Sequence, residues 1–211
     1  MGTSWIEVQI NKAQIQQMQQ VISQQEKFRI AAERAINRGV EAARTEASRE
    51  IRKRYDITDA NIRADRNIKL KKAIASGDEI VGEISFAGRK IPLYRFHPNP
   101  KSRQYTQEFV NGVSGWRKTS AVKAADVKGK MQARDNAFIA TFQSGHTGIF
   151  RRTKGTTSSG KAKLREYWGF AVADMLDYQE AREAILQKAT ETVQKRLDHE
   201  ITAALNGGYG K

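Results

Sequence analysis

Residues 28–55 read FRIAAERAINRGVEAARTEASREIRKRY, and this stretch decides the fold. Phe28, Ala32, Ala35, Gly39, Ala43, Ala47, Ile51 and Tyr55 advance by three or four residues, the spacing that places side chains on one helical face. That face is mostly Ala and Gly, so another element can approach the helix closely. The other faces carry Glu46 and Glu50 with Arg49, Lys53 and Arg54, charge pairs of the kind that support a helix surface. The pattern predicts one long helix from residue 26 to about residue 54. Asp56-Ile57-Thr58-Asp59 then reads as a stop followed by a new N-cap, with a short turn of helix over residues 60–63.

Toward the N-terminus, residues 4–10 alternate Trp5, Glu7, Gln9 against Ile6, Val8, Ile10, a short strand signal. Residues 12–25 are rich in glutamine, with a thin stripe of Ile15, Met18 and Val21 or Ile22. A stripe this narrow implies light packing on a neighbour or another subunit. At the other end, the chain reads as helical from about Phe170. Leu186, Ala189, Val193, Leu197, Ile201 and Ala204 form the apolar stripe, and Gly207-Gly208 ends the helix.

Between the two helices the pattern changes. Ile68 and Leu70, then Ile80, Ile84 and Phe86, predict strands broken by Ser76-Gly77-Asp78 and Ala87-Gly88-Arg89, both of hairpin-like turn chemistry. Pro92 marks an edge or a strand end. Residues 97–119 read as a long polar loop, and residues 153–163 as a flexible basic loop. Residues 121–128 and 137–142 read as two further strands. The expected architecture is α+β: a long N-terminal helix and a long C-terminal helix packed on a small antiparallel sheet with long basic loops. Residues 26–206 are expected to form a single domain, residues 1–25 a glutamine-rich extension and residues 207–211 a Gly-rich tail.

Hydrophobic residues make up 39% of the 211, so the core should be modest for the length. There is no cysteine, which excludes disulfides and thiolate metal sites. No apolar run is long enough for a transmembrane helix, and residues 1–10 lack the basic start and apolar stretch of a signal peptide; the chain is expected to be cytosolic when made. The net charge is +14, unevenly placed. Residues 77–165 carry 17 basic and 6 acidic residues, whereas residues 166–211 carry 5 basic and 8 acidic. Such a middle segment attracts a polyanion, nucleic acid being the obvious one, or an acidic protein.

Catalytic patterns are not found. The histidines are His97, His146 and His199, without the spacing of a metal site. The chain has no phosphate-loop pattern, no Gly-x-Gly-x-x-Gly and no Gly-x-Ser-x-Gly. Neither cofactor nor metal is expected, and the chain does not read as an enzyme. An enzyme would need a pocket gathering His146 or His199 with acidic residues. In Ser144-Gly145-His146-Thr147-Gly148-Ile149-Phe150-Arg151-Arg152, a tight turn is expected to hold His146 in local bonds and to place Phe150 in the core, leaving the arginines for a surface contact. The expected contacts to a protein partner or DNA are Lys101, Arg103, Lys118, Arg151, Arg152, Lys154, Lys161 and Lys163. Phe96, Tyr105, Trp116 and Trp168 are aromatics near these bases, read as core or interface residues rather than stacking platforms.

Several strings resemble one family. Ala31-Ala32-Glu33-Arg34-Ala35-Ile36-Asn37-Arg38-Gly39 is similar to a helix near the start of the phage minor tail protein Z family. Glu50-Ile51-Arg52-Lys53-Arg54-Tyr55-Asp56-Ile57 resembles the passage where that helix ends. Gly88-Arg89-Lys90-Ile91-Pro92-Leu93-Tyr94-Arg95-Phe96 resembles its Gly-x-x-Ile-Pro-Leu-x-x-Phe segment, and Gly145-His146-Thr147-Gly148-Ile149-Phe150-Arg151-Arg152 its Gly-His-x-Gly-x-Phe-x-Arg segment. The resemblance covers about residues 26–206. It implies a structural, non-enzymatic virion protein of a phage or prophage, acting in tail completion and head–tail joining at the head-proximal end of a long tail. The implied neighbours are the tail terminator and tail tube proteins, with a homo-oligomeric ring in the virion, assembly in the host cytoplasm and no membrane. The alternative reading is a basic DNA-binding module.

Overall fold

The structure is a computed structural model that describes residues 4–8, 25–74, 80–99, 105–110, 113–118, 121–134 and 136–205. The protein is α+β, with two long helices and small antiparallel sheets. Four helices are described: α1 (Gln25–Arg54), α2 (Asp59–Arg63), α3 (Val172–Met175) and α4 (Gln179–Leu205). The strands are β1 (Ser4–Val8), β2 (Ile68–Lys71), β3 (Gly82–Phe86), β4 (Lys90–Pro92), β5 (Tyr105–Val110), β6 (Val113–Lys118), β7 (Lys123–Ala124), β8 (Gln132–Ala133), β9 (Ala137–Thr141), β10 (Thr147–Thr156), β11 (Ala162–Glu166) and β12 (Trp168–Ala171). The described helices include none long and apolar enough to cross a membrane. The glutamine-rich residues 12–24 and the Gly-rich 207–211 lie outside the described residues.

The chain divides into two compact units. The first comprises residues 1–50, 63–88 and 172–211. The small-residue face of α1 is its centre: Ala31, Ala32, Ala35, Ile36, Ala43 and Ala47 are all buried. Phe28 and Ala32 pack with Ile80 and Ile201. A three-stranded sheet in the order β1-β3-β2 joins it, with Ile6 opposite Ile84 and Leu70 opposite Ile84 on the other edge. Gly82 permits the close approach of sheet and helix, since a Cβ there would lie 2.7 Å from methyls of both Ile36 and Val40. Asn37 fixes the loop after β2 by bonding both ways with Ala73, its Nδ2 donating to the carbonyl at 3.2 Å and its Oδ1 accepting from the amide at 2.7 Å. On α4 the buried face is Ala181, Ile185, Ala189, Val193 and Leu197, so Leu186 is not part of the stripe and stands exposed. The buried carboxylate of Glu200 is held by Arg196 at 2.6 Å and Arg34 at 3.6 Å.

The second unit comprises residues 51–62 and 89–171. Its largest sheet has the order β11-β10-β9, with Ala137, Ile139, Ile149 and Phe150 buried. Smaller pairs are β4 with β12, β5 with β6, and β7 with β8. Pro92 ends β4, as a residue without an amide proton should. Gly169 on β12 sits against Phe96, whose ring would lie 2.6 Å from a Cβ.

Several expectations need correction. Residues 97–119 are not a continuous loop, because β5 and β6 pair in register from Tyr105 with Lys118 to Val110 with Val113. The two residues between them are Asn111-Gly112, a strong local hairpin signal that outweighs the polar composition. Residues 153–163 are not one continuous loop either, since β10 runs to Thr156 and β11 starts at Ala162, which leaves only residues 157–161 as the turn between them. The last helix begins at Gln179, not near Phe170, which lies on β12. Ala87-Gly88-Arg89 does not turn a hairpin, because β4 pairs with β12 and not with β3. Glu50 is buried instead of lying on the helix surface.

Candidate functional site: a basic ribbon and the cleft at its root

β10 is twice as long as its partner β9 and continues past it as a two-stranded ribbon with β11. Every residue from 154 to 165 is exposed. The ribbon holds its shape through backbone pairing and its turn, without apolar burial. Thr157 N donates to the Lys161 carbonyl at 2.7 Å, and Gly160 N donates back to Thr157 at 2.9 Å. Gly155 (φ 93°) and Gly160 (φ 74°) occupy left-handed conformations that favour glycine. Thr153 Oγ1 also donates to the Lys163 carbonyl at 3.2 Å.

Arg151, Arg152 and Lys154 lie on β10, Lys161 in the turn and Lys163 on β11, so the structure brings five of the expected contact residues onto one element. Arg165 joins them, a residue that the alternation Lys161, Lys163, Arg165 would have revealed. Lys118 ends β6, but its side chain lies outside the described residues, as do Lys101 and Arg103. No acidic residue occurs between Thr147 and Arg165. Arg151 stands directly opposite Arg165, a like-charge cross-strand pair that opposes folding. Aromatic rings ease the root: Arg151 lies 5.8 Å from the Tyr167 ring and Arg152 lies 5.1 Å from the Phe138 ring.

The charge excess follows the division of the chain. The second unit carries 20 basic and 6 acidic residues, net +14, and the first carries 17 of each, net zero. The potential that attracts an anionic partner therefore belongs to the unit that bears the ribbon.

A polar cleft of about 430 Å³ lies at the base of the ribbon, lined by Asn61, Tyr94, Arg95, His97, His146 and Thr147 among others. His97 follows a 3-10 turn, has a positive φ of 40°, and places Nδ1 2.8 Å from Asp56 Oδ1. His146 closes the turn before β10, where Phe142 N donates to its carbonyl at 2.9 Å and Gly145 adopts φ 82°. Its Nε2 lies 2.9 Å from Oε1 of Glu166, the last residue of β11. The ring stacks on Phe142, and Phe142 meets the buried Phe150 edge-on at 4.9 Å. Gly148 makes this possible, because a Cβ there would collide with the Glu166 carboxylate and the Phe150 ring.

Phe150 is in the core, as expected from the residues around it, but the His146 ring does not bond within its own turn: its partner, Glu166, comes from twenty residues away. The cleft also gathers a second paired histidine, His97, which spacing along the chain could not reveal. His199 is exposed on α4. Phe96 is fully buried, whereas Trp168 is half exposed, and the side chains of Tyr105 and Trp116 lie outside the described residues. Among the described residues no group of three His, Asp or Glu side chains could hold a metal ion. No protein-family model, no curated protein and no solved structure matches this chain.

Proposed function

We propose that this chain is a structural, non-enzymatic component of a long phage tail, completing the tail at its head-proximal end and supporting head–tail joining. The observation that carries the reading is the β10–β11 ribbon. Every residue from 154 to 165 is exposed, and every charge on it there is positive. An element of this kind gains its stabilisation from a neighbour, which fits a subunit that orders its contacts in an assembly. The ribbon begins within the Gly145-to-Arg152 string that resembles the minor tail protein Z family. The proposed partners are the tail terminator and tail tube proteins and further copies of this chain in a ring. In the virion the ribbon would face acidic protein or the DNA path. No cofactor enters the proposal.

The test is a phage or prophage in which the gene carries an early stop codon, examined by negative-stain electron microscopy. Tails that fail to join filled heads, restored by the wild-type chain but not by a chain lacking residues 153–163, are the expected result. Normal, joined particles without the protein would overturn the reading.

A second reading, a basic DNA-binding module, is favoured by the concentration of all the net charge in one unit. A two-stranded ribbon also has the width to enter the major groove. Its mark is steeply salt-dependent DNA affinity in the isolated chain.

A further inference from the structure

We infer that the cleft at the root of the ribbon is a phosphate seat, in which His97 and His146 hold one backbone phosphate of a nucleic acid strand that tracks the ribbon. The inference rests on the second reading above and adds a defined site to it. Each imidazole spends one ring nitrogen on a carboxylate: His97 Nδ1 on Asp56 and His146 Nε2 on Glu166. These bonds fix both rings, and among the described residues the remaining nitrogens, Nε2 of His97 and Nδ1 of His146, have no hydrogen-bond partner. In its protonated form each ring offers that second N–H to an oxyanion, and charge-assisted bonds of this type are short and strong. Arg95 lines the same cleft.

The site is continuous with the cationic element. Thr147, which lines the cleft, is the first residue of β10, and Glu166, which orients His146, is the last of β11. By strand alternation Arg152 shares the sheet face of Glu166, so a strand neutralised by Arg152 reaches the His146 end of the cleft, while Arg151, Lys163 and Arg165 lie on the opposite face. Phosphate is favoured over an acidic peptide because the ligand must accept from two imidazoles and leave the flanking carboxylates in place, which suits a compact tetrahedral anion with several acceptor oxygens.

The experiment uses the full chain. NMR of the imidazole resonances follows titration with inorganic phosphate, and fluorescence anisotropy measures affinity for a labelled DNA strand in wild type, His97→Ala, His146→Ala and Glu166→Gln. Saturable shifts of His97 and His146 but not of His199, with a loss of DNA affinity of about five- to twenty-fold in each histidine variant, are expected. DNA binding that is unchanged in both histidine variants overturns the seat while leaving the ribbon reading intact. If the wild type does not bind DNA, the ribbon reading and the seat for a backbone phosphate are both overturned; if it binds DNA but inorganic phosphate leaves the His97 and His146 resonances unmoved, the seat alone is overturned. Equal displacement of the signals by glutamate peptide overturns phosphate as the ligand. Cleavage of the strand in the same samples would also overturn it, in favour of acid–base chemistry by the two imidazoles.

Discussion

Replacing Lys154, Lys161, Lys163 and Arg165 together by glutamine would separate charge from fold. All four side chains are exposed, so the substitutions leave the core untouched. They also remove the repulsion between Arg151 and Arg165 across the strand pair. Stability should therefore stay within about 1 kcal/mol of wild type, or rise slightly. Binding should respond strongly. Five residue steps along β10 from Arg151 to Thr156 span roughly 17 Å at strand rise, a length over which duplex DNA presents about ten phosphates on its two strands. Six cations on that length have enough phosphates to meet one each. Each cation–phosphate pairing that is removed lowers the slope of log affinity on log salt by about 0.9 for duplex DNA, so removing four lowers it by roughly 3–4. At 0.15 M salt this corresponds to a weakening of roughly a thousand-fold. Fluorescence anisotropy with a labelled duplex, over a salt series from about 0.05 to about 0.3 M, measures both quantities. A variant whose slope equals that of wild type, or a wild-type slope near zero, would refute the assignment of these cations to phosphates.

Three other outcomes test the fold that carries the site. Gly82→Ala places a methyl against Ile36 and Val40, and should destabilise the first unit by about 1–3 kcal/mol in urea unfolding; a neutral change would mean that helix and sheet are less closely packed than described. Gly148→Ala forces Glu166 and Phe150 apart, so the His146 resonance should shift while the His97 resonance stays in place, and movement of neither would contradict the described turn. Converting both Arg34 and Arg196 to Met leaves the buried Glu200 carboxylate without these two partners and should cost about 3 kcal/mol, whereas either single change should cost less; one single change as costly as the double, with the other neutral, would show that one arginine carries the whole interaction.

The helices were legible because their stripes are long. Phe28 to Ile51 repeats over about seven turns, and no competing pattern of that length exists. Leu186 shows where a stripe misleads. It is one residue away from the buried Ile185, and counting from either keeps later members such as Ala189 and Val193 in phase. The ribbon was illegible for a different reason. Its residues carry no apolar alternation, because neither face of it is buried, so the period-two signal that marks a half-buried strand is missing. What remained was turn chemistry, Gly155 and Gly160 around Thr157 and Ser159, which composition alone reads as flexibility. The cleft was illegible in principle. His97 with Asp56 and His146 with Glu166 are separated by 41 and 20 residues, and only the folded chain makes each a pair.

The distribution of charge bears on why the chain has two units at all. A domain with a large net charge destabilises itself by repulsion, and the second unit holds the full +14. The first unit balances 17 cations with 17 anions and can place its ion pairs where they serve packing, as Glu200 does with Arg34 and Arg196. Stability and attraction to an anion thus fall to different parts of the chain. The ribbon lies at the extreme of this separation, since it tolerates Arg151 opposite Arg165 with no acidic residue in the chain that joins them. Repulsion of that kind confers nothing on the isolated protein. It becomes an advantage only when an anionic surface settles against the ribbon, because neutralising the pair then adds the relief of repulsion to the attraction. The unfavourable arrangement in the free chain is therefore the strongest physical reason to regard the ribbon as made for a partner.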